Sequence, residues 1–357
     1  MTGFPGFLGS ALLGRLLARR PGADAVCVVQ EQHLGAARVR LSQIEATEGH
    51  VTGRVRLVVG DITLPGLGLT DADRRLLGDV TEVWHLAAVY DLTVGEELAR
   101  RVNVGGTERV LELCQDLANL TRLHHVSTCY VSGRYDGTFG EDDLDVGQTF
   151  RNHYESTKFE AELLVQRATA GGLPATIYRP GIVVGDSRTG ATQKYDGPYF
   201  LATFLRRQLP LAVVPAVADP DRVRFCLVPR DFVVEAMDRL SLLEQSRGRT
   251  YALTDPDPPT ARQLVDTFAS RLGRRVVWVP LPLLLTRVAI SLPLVGRLSG
   301  LPAEALEYFA SPTTYDTTHT QTDLAGTDVS CARFEDYADR LVDFMVEHPE
   351  LDSAAMV

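Results

Sequence analysis

Short apolar runs alternate with helical segments along the first half of the chain. Residues 25–30, 55–59 and 123–127 are apolar runs of the length of a buried strand, and helical patterns lie near 71–77 and 103–117. Such an alternation is typical of parallel strands whose crossover helices cover both faces of one sheet. The sequence therefore predicts an α/β fold with a doubly wound parallel sheet.

A glycine-rich turn stands at the start of this pattern. Gly3, Gly6 and Gly9 recur every three residues, and a helix is predicted over 11–19. Glycines permit a tight bend from strand to helix and let backbone N–H groups approach a phosphate at the helix N-terminus. Only two residues precede Gly3, so we expect the sheet to lack most of its central first strand and the nucleotide crevice to lose a wall, with that strand encoded upstream of Met1.

The strand–helix alternation weakens after Lys194. We predict a smaller substrate-binding lobe over 191–357, interleaved with a nucleotide-binding domain over 1–190, because no linker or repeat separates the two parts. A strand near 225–230 is a candidate to return to the main sheet. The other predicted elements are strands over 80–86, 175–179 and 250–253, an apolar run over 211–217, and helices over 195–208, from Asp231, over 260–272 and over 333–348.

Composition excludes several kinds of partner. The net charge is −10, and no long basic run is present, so we expect no nucleic-acid partner. The five cysteines are scattered and contain no Cys-x-x-Cys pair, which is typical of reduced thiols in a cytoplasmic protein. The spacing of His124, His125 and His153 suits no zinc site, so we expect no metal.

The most apolar region, residues 276–298, is interrupted by three prolines and contains Arg287 and Arg297. A membrane-spanning helix is therefore not expected. Two interpretations remain open. The segment either packs in the core or as a helical lid, or it forms an apolar surface for a lipid chain or for peripheral contact with a membrane.

Tyr154 and Lys158 form a candidate acid/base pair. Their spacing places both side chains on one face of a helix, where an ammonium close to a phenol favours its ionised form. The spacing alone is common, and an exposed tyrosine beside a solvated lysine is the alternative.

Seven motifs in a fixed order strengthen the pair. They are Thr2-Gly3-x-x-Gly6-x-x-Gly9, Gly60-Asp61, His85-Leu-Ala-Ala88, Asn103-Val-Gly-Gly-Thr107, His125-Val-Ser-Thr-Cys-Tyr-Val-Ser-Gly133, Tyr154-x-x-x-Lys158 and Tyr178-Arg-Pro-Gly181. In this order and spacing the chain resembles the extended short-chain dehydrogenase/reductases. The resemblance implies a Rossmann-type nucleotide-binding domain and an NAD(P)-dependent oxidoreductase.

Three further motifs are similar to the male-sterility branch of fatty acyl-CoA reductases and thioester reductase domains. They are Gly185-Asp-Ser-Arg-Thr-Gly190, Lys194-Tyr-Asp-Gly-Pro-Tyr199 and Val228-Pro-Arg-Asp231. This resemblance covers the first two thirds of the chain. It implies reduction of an acyl thioester, either fatty acyl-CoA or carrier-bound, or of the derived aldehyde. Residues 200–211 and 281–298 would then line the acyl chain, and a homodimer is expected to include the Tyr154 helix.

The resemblance also implies roles at the reacting centre. Tyr154 would donate a proton to the carbonyl oxygen, and Lys158 would lower the pKa of Tyr154 and hold the nicotinamide ribose. Thr128 would supply a second hydroxyl donor in preference to Ser127, for which a satisfied strand-end hydroxyl is expected. Asn103 would support a water relay to Lys158 or, alternatively, cap a helix start.

Cofactor contacts follow from the same resemblance. Asp61 would accept from the adenine amino group or cap a turn, and Arg40, with Arg38 as an alternative, would pair with a 2′-phosphate. Gln30 stands where NAD enzymes carry an acid. We expect NADPH, with NADH as the alternative. The complete set of implied contacts is Thr2, Gly3, Gly6, Phe7, Leu8, Gly9, Gln30, Arg40, Asp61, Ile62, Leu86, Ala87, Ala88, Asn103, Tyr154, Lys158, Pro180, Gly181, Ile182 and Val183.

Two other functions use the same residues. An NAD-dependent epimerase or dehydrogenase of a nucleotide sugar or sterol would need the same Thr128, Tyr154 and Lys158. A nucleotide-binding protein without turnover would need only the glycine turn, and the short first strand is the feature that favours it.

Overall fold

The computed structural model describes residues 1–90, 93–292 and 303–351. Parallel strands form the centre, with helices packed against them. The strands are β1 Ala25–Val29, β2 Val55–Val59, β3 Glu82–His85, β4 Arg122–Val126, β5 Thr138–Phe139, β6 Ala175–Pro180, β7 Ile182–Val184, β8 Leu211–Ala216, β9 Leu227–Pro229, β10 Thr250–Leu253, β11 Arg275–Pro280 and β12 Thr314–Tyr315. The helices are α1 Phe7–Arg19, α2 Leu34–Thr47, α3 Asp71–Arg75, α4 Glu96–Ala99, α5 Gly106–Asp116, α6 His153–Ala170, α7 Pro198–Arg207, α8 Arg230–Ser241, α9 Ala261–Arg271, α10 Leu283–Ser291, α11 Thr318–Leu324 and α12 Phe334–Glu347.

The main sheet is parallel, and its two halves meet at the chain's first residues. One half has the order β10-β6-β4-β3 and the other is β1-β2. Thr2 forms parallel bridges to Val28 and His85 and so lies between the halves. The Val28 N–H donates to the Met1 carbonyl over 2.9 Å, and the Thr2 N–H donates to the Trp84 carbonyl over 2.9 Å. Met1 and Thr2 therefore occupy the position predicted for the central first strand.

Helices cover both faces of this sheet, as a doubly wound fold requires. Along β3, Val83 packs in a cluster with residues of α5 and α6, whereas its neighbour Trp84 packs with residues of α1 and α8. Successive side chains of a strand point to opposite faces, so the two clusters lie on opposite sides. The predicted fold class is confirmed.

The second lobe is interleaved with the sheet. β10 returns to the main sheet beside β6, with Leu253 opposite Pro180. The strand predicted near 225–230 does not return there, because β9 pairs with β7 in a separate two-stranded sheet. A third apolar cluster, built from α7, β8, α9 and α12, forms the core of the lobe.

Several predicted boundaries shift at glycines. α1 begins at Phe7, four residues before the predicted start, because the helix grows directly from the glycine turn. The helix predicted from Asn103 already begins at Glu96 and passes through a π-helical turn, Arg100–Gly105, before α5. Apolar periodicity does not encode such a turn, since a π-bulge shifts the spacing by one residue.

The apolar region of residues 276–298 is divided between β11 and α10, and its last six residues lie outside the described part of the chain. None of the described helices has the length and apolar character needed to cross a bilayer. All five cysteines are free thiols, and four of them are buried.

Three histidines lie buried in the middle of the sheet. His85 contacts the Thr2 hydroxyl through Nδ1 at 2.8 Å, and both side chains are buried. His124 stacks on Trp84, and neither ring nitrogen of His125 has a hydrogen-bond partner among the described residues. Burial lowers the pKa of His85 to about 3 and the pKa values of His124 and His125 well below their usual range.

We predict that the His125→Leu substitution reduces the loss of stability in mild acid. The folded protein keeps the buried His125 imidazole neutral, whereas the unfolded chain binds a proton below its pKa of about 6.5. The free energy of unfolding therefore falls by about 1.4 kcal/mol as the pH is lowered to 5.5. Urea unfolding of both proteins at pH 7.5 and 5.5 measures this difference. The variant His153→Gln, at an exposed histidine, should show the pH dependence of the parent. An unchanged pH dependence in His125→Leu would contradict the claim that His125 is neutral in the folded protein.

Candidate active site

The carboxyl ends of the strands bring the predicted site residues to one edge. Gln30 follows β1, Asp61 lies just beyond β2, and Leu86 follows β3. Thr128 lies just beyond β4, and Gly181 follows β6. In open parallel sheets this edge, at the point where strand order reverses, is where nucleotides bind. The reversal lies at Thr2, between β1 and β3.

The glycine turn leaves room for a phosphate against α1. Gly3 has a φ of +88°, and a Cβ there would lie 2.8 Å from the Ala87 nitrogen. A Cβ on Gly9 would lie 2.6 Å from the Gly3 carbonyl oxygen. No side chain of the described residues caps α1 at Gly6, so the N–H groups of its first turn remain available for an anion. The turn therefore fits a dinucleotide pyrophosphate.

Thr128 and Tyr154 meet at the reacting centre. Asn152 caps α6, since its side chain accepts from the Glu155 N–H at 3.0 Å, and this fixes Tyr154 in the first turn. The Thr128 hydroxyl lies close to the Tyr154 phenol and acts to lower the pKa of that phenol. The neighbouring Ser127 hydroxyl instead donates to the buried carboxylate of Glu162. Of the two hydroxyls, Thr128 is thus the one that contacts Tyr154.

Burial shifts the two titrating groups of the centre in opposite directions. It raises the pKa of Tyr154 to about 12, and the nearby Thr128 hydroxyl is the largest opposing effect. It lowers the pKa of Lys158 to about 8, with the Glu162 carboxylate acting against it. The Lys158 ammonium donates to the Val126 carbonyl at 2.8 Å. The expectation that Lys158 lowers the pKa of Tyr154 is therefore wrong for this structure, because desolvation raises that pKa and Thr128, not Lys158, is the main opposing group.

Asn103 holds a loop in place. Its side-chain amide accepts from the Val89 N–H at 2.9 Å and donates to the Val89 carbonyl at 3.0 Å. The same amide group donates to the Thr157 hydroxyl at 3.0 Å. Asn103 also lies inside the π-helical turn, so the alternative of a helix-start cap is wrong. Its amide ties the chain after β3 to α6, next to Lys158.

A buried ion pair connects α6, the helix that carries Tyr154 and Lys158, to the main sheet. Arg179, on β6, and Glu162, on α6, are 1% and 0% exposed and bond at 2.6 Å. Arg179 also donates to the carbonyls of Gly140, Glu141 and Asp143. The buried guanidinium thus has an acceptor for each of its three nitrogens.

The adenosine end of the crevice contains polar and cationic groups. The Gln30 amide donates to the Asp61 carboxylate at 3.1 Å, and Asp61 also accepts from the Thr63 N–H, which makes it a turn cap as well. The buried Nε of Arg40 has no partner among the described residues. Burial, and next the positive charge of Arg230, lower the pKa of Arg40.

Arg230 was not predicted as a site residue. Its guanidinium lies over the Phe7 ring, 5.1 Å from the ring centre, at the start of α1. It also forms a 3.2 Å ion pair with Asp186. The available signal was an arginine inside the Val228–Asp231 motif, but only the fold places it beside the glycine turn.

Two more contacts near Tyr154 were not predicted. The Lys194 ammonium lies 3.7 Å from the centre of the Tyr90 ring. Tyr308 donates to the buried Glu155 carboxylate at 2.8 Å. Both contacts join the second lobe to the nucleotide-binding domain, and their partners are more than 100 residues apart, so local sequence carries no sign of them. Within the described ranges no cluster of side chains suits a metal ion.

Comparison with known proteins agrees with this geometry. Residues 1–237 match the family model described as male sterility protein, an NAD-binding family. The chain belongs to this family. It is an NAD-binding member of the extended short-chain dehydrogenase/reductases, as the motifs predicted.

Individual relatives of this male sterility family protein are long and varied. The glycine betaine reductase ATRR of Emericella nidulans is 30% identical over 283 residues, which are 74% of this chain and 21% of that protein. Linear gramicidin synthase of Brevibacillus parabrevis is 30% identical over 269 residues, 72% of this chain and 5% of the matched polypeptide. Fatty acyl-CoA reductase wat of Drosophila melanogaster is 27% identical over 237 residues, 56% of this chain and 45% of that protein. The chain thus spans less than half the length of each of these relatives.

A solved structure covers nearly the whole chain. The terminal R domain from the myxalamid PKS-NRPS biosynthetic pathway superposes with a TM-score of 0.83 at 28% identity. The superposition covers 98% of this male sterility family chain and 90% of that domain. The likeness includes the part of the second lobe after residue 237, which lies beyond the region that the family model matches.

We predict that Glu162→Gln destabilises the protein by about 3–5 kcal/mol, because it leaves the buried Arg179 guanidinium without its counter-charge. Urea unfolding with circular dichroism measures the change. Replacement of the half-exposed Glu160 by Gln is the matched control on the same helix; its ion pair with Arg100 lies at the surface and is worth at most about 1 kcal/mol. Equal effects of the two substitutions would contradict the supporting role.

Proposed function

We propose that this protein is an NADPH-dependent reductase of an acyl thioester or of the derived aldehyde. The observation that carries the proposal is that α6 brings Tyr154 to Thr128 and Lys158 to the Val126 carbonyl, at the edge where the parallel strands end. The names of the relatives support the substrate class, since one is a fatty acyl-CoA reductase and another is linear gramicidin synthase. Assays with acyl-CoA and with an acyl group on a carrier protein distinguish the two forms of the substrate.

The residues support a proton-donating role for Tyr154. When bound, the nicotinamide supplies a hydride. With a pKa of about 12 the Tyr154 phenol keeps its proton at neutral pH and offers it to the carbonyl oxygen, on which negative charge develops. Thr128, next to Tyr154, adds a second donor at the same oxygen. Lys158, one helical turn after Tyr154 and buried beside it, would hold a ribose hydroxyl.

The preference for NADPH rests on two guanidinium groups. Arg40 has an unpartnered buried Nε, and Arg230 lies over Phe7 at the phosphate-binding turn. The positive charge of Arg230 lowers the pKa of Arg40 even though Arg230 also pairs with Asp186. An anion between the two guanidinium groups would relieve this repulsion, and a 2′-phosphate would supply one. Gln30 carries no charge that would oppose the phosphate, whereas an acid at that position would favour NADH.

We predict that the purified protein oxidises NADPH when given acyl-CoA substrates of graded chain length, or their aldehydes. Tyr154→Phe should lower kcat by about 10²–10⁴-fold, because it removes the proton donor, and should leave NADPH affinity nearly unchanged. Absorbance at the NADPH band and product analysis measure the turnover. Thr128→Ala should also lower kcat, because it removes the second donor. Ser127→Ala is its control, since the Ser127 hydroxyl donates to Glu162 instead.

Inertness toward every thioester and aldehyde would contradict the proposal. Tight retention of an oxidised nucleotide without net consumption would instead indicate an epimerase. Full activity in Tyr154→Phe would leave the substrate class standing and remove Tyr154 as the donor.

We predict that Arg40→Ala raises the Kd for NADPH by about 10–100-fold, because a charge-assisted hydrogen bond is lost, and leaves the Kd for NADH nearly unchanged. Arg230→Ala should act in the same direction. Fluorescence titration of each variant with both nucleotides measures these affinities. Arg38, exposed on the same helix, is the alternative partner expected from the sequence, so Arg38→Ala should leave both affinities unchanged if Arg40 is the partner. An equal loss for NADPH and NADH in Arg40→Ala and Arg230→Ala would show that neither arginine binds the 2′-phosphate.

A further inference from the structure

Two strands of the second lobe expose aliphatic side chains to solvent. β8 and β11 pair in parallel, with Val213 opposite Val277. Ala212 and Val214 lie in the core of the lobe, and Val213 therefore points to the outer face. Val213 and Val277 are 49% and 40% exposed there.

The following helix continues this apolar character outward. α10 begins at Leu283, three residues after the last residue of β11. Leu284, Val288 and Leu292 recur every four residues and are 72%, 57% and 54% exposed. Thr286 is buried instead. Ile290 is buried on the same side as Thr286, so α10 packs on the protein there and presents a second apolar stripe, Leu284 and Val288 with Leu292 just beyond the helix, to solvent.

Positive charge is concentrated in the same part of the chain. Residues 204–218 and 271–292 contain six arginines and no aspartate or glutamate, in a protein of net charge −10. Arg206, Arg275 and Arg287 are exposed. We call this surface the basic apolar face; its exposed apolar members are Leu209, Leu211, Val213, Val277, Leu281, Leu284, Leu285, Val288 and Leu292.

We propose that the basic apolar face binds the surface of an anionic lipid membrane. Aliphatic side chains enter the boundary between headgroups and acyl chains, and arginines at the rim reach the lipid phosphates with their long stems. Anionic lipids attract each cation near the surface. Arg206 and Arg275 form no ion pair among the described residues, whereas Arg271 and Arg287 pair with Asp343 and Glu307 and contribute less to this attraction.

Other occupants fit the face less well. In a two-fold dimer the basic apolar face of one copy would contact the same face of the other copy. The arginines of the two copies would then lie close together and repel each other. Interfaces between proteins are enriched in tyrosine, tryptophan and phenylalanine. The two aromatic residues of these stretches, Phe204 and Trp278, are only partly exposed.

Vesicle flotation with the full chain tests the proposal. We expect binding to vesicles of phosphatidylcholine with about 30% phosphatidylglycerol at low salt, and much weaker binding to pure phosphatidylcholine or in about 0.5 M NaCl, where charges are screened. The R206Q/R275Q variant should bind about fivefold more weakly for each arginine removed. The L284Q/L285Q/V288Q variant should lose binding altogether.

Matched controls replace exposed residues outside the face. V39Q/V146Q removes two exposed valines, and R167Q removes an exposed arginine; each should bind as the parent does. Thermal unfolding verifies that every variant is folded, and the arginine variant tests the face even if the triple variant is not. Absence of flotation with anionic vesicles overturns the proposal, as does flotation that the face variants leave unchanged. The proposal would also be overturned if the parent dimerised without binding vesicles and the triple variant did not dimerise. That result would assign the face to contact with a second copy.

Discussion

The buried ion pair between Arg179 and Glu162 is the interaction on which the arrangement of the site depends. It connects β6 to α6, and Arg179 also holds three carbonyls of the segment 140–143. Glu162 additionally accepts from Ser127, at the end of β4. Because separating a buried pair leaves an uncompensated charge, these segments keep one relative position. Thr128, one residue after Ser127, is thereby held against Tyr154, two helical turns before Glu162.

The same burial prepares the chemistry. A low-dielectric surrounding disfavours the charged form of any group, so it raises the pKa of Tyr154 and lowers that of Lys158. A phenol that keeps its proton suits the donation step, whereas a phenolate would suit the reverse reaction. The direction of these shifts comes from packing around α6, and the residue spacing alone led to the opposite expectation for Tyr154.

Local pattern was a good guide wherever one segment decided its own structure. The strands at 55–59 and 250–253 have the predicted bounds, and the helix predicted over 260–272 begins with a capping box between Thr260 and Gln263. Prediction failed where distant segments decided. The strand near 225–230 found its partner in β7, and the side-chain amide of Asn103 bonds to Val89 and Thr157.

The sequence by itself determined the family, the parallel sheet and the identity of Thr128, Tyr154 and Lys158 as candidates, because glycine turns, strand-length apolar runs and motif spacing are local properties. Only the tertiary structure decided that Arg230 lies near Arg40 and the glycine turn. It also decided that Ser127 bonds to Glu162, which leaves Thr128 for Tyr154, and which leucines of α10 are exposed. These outcomes depend on contacts between residues far apart in the chain and on the burial that such contacts create. Neither is a property of a single segment.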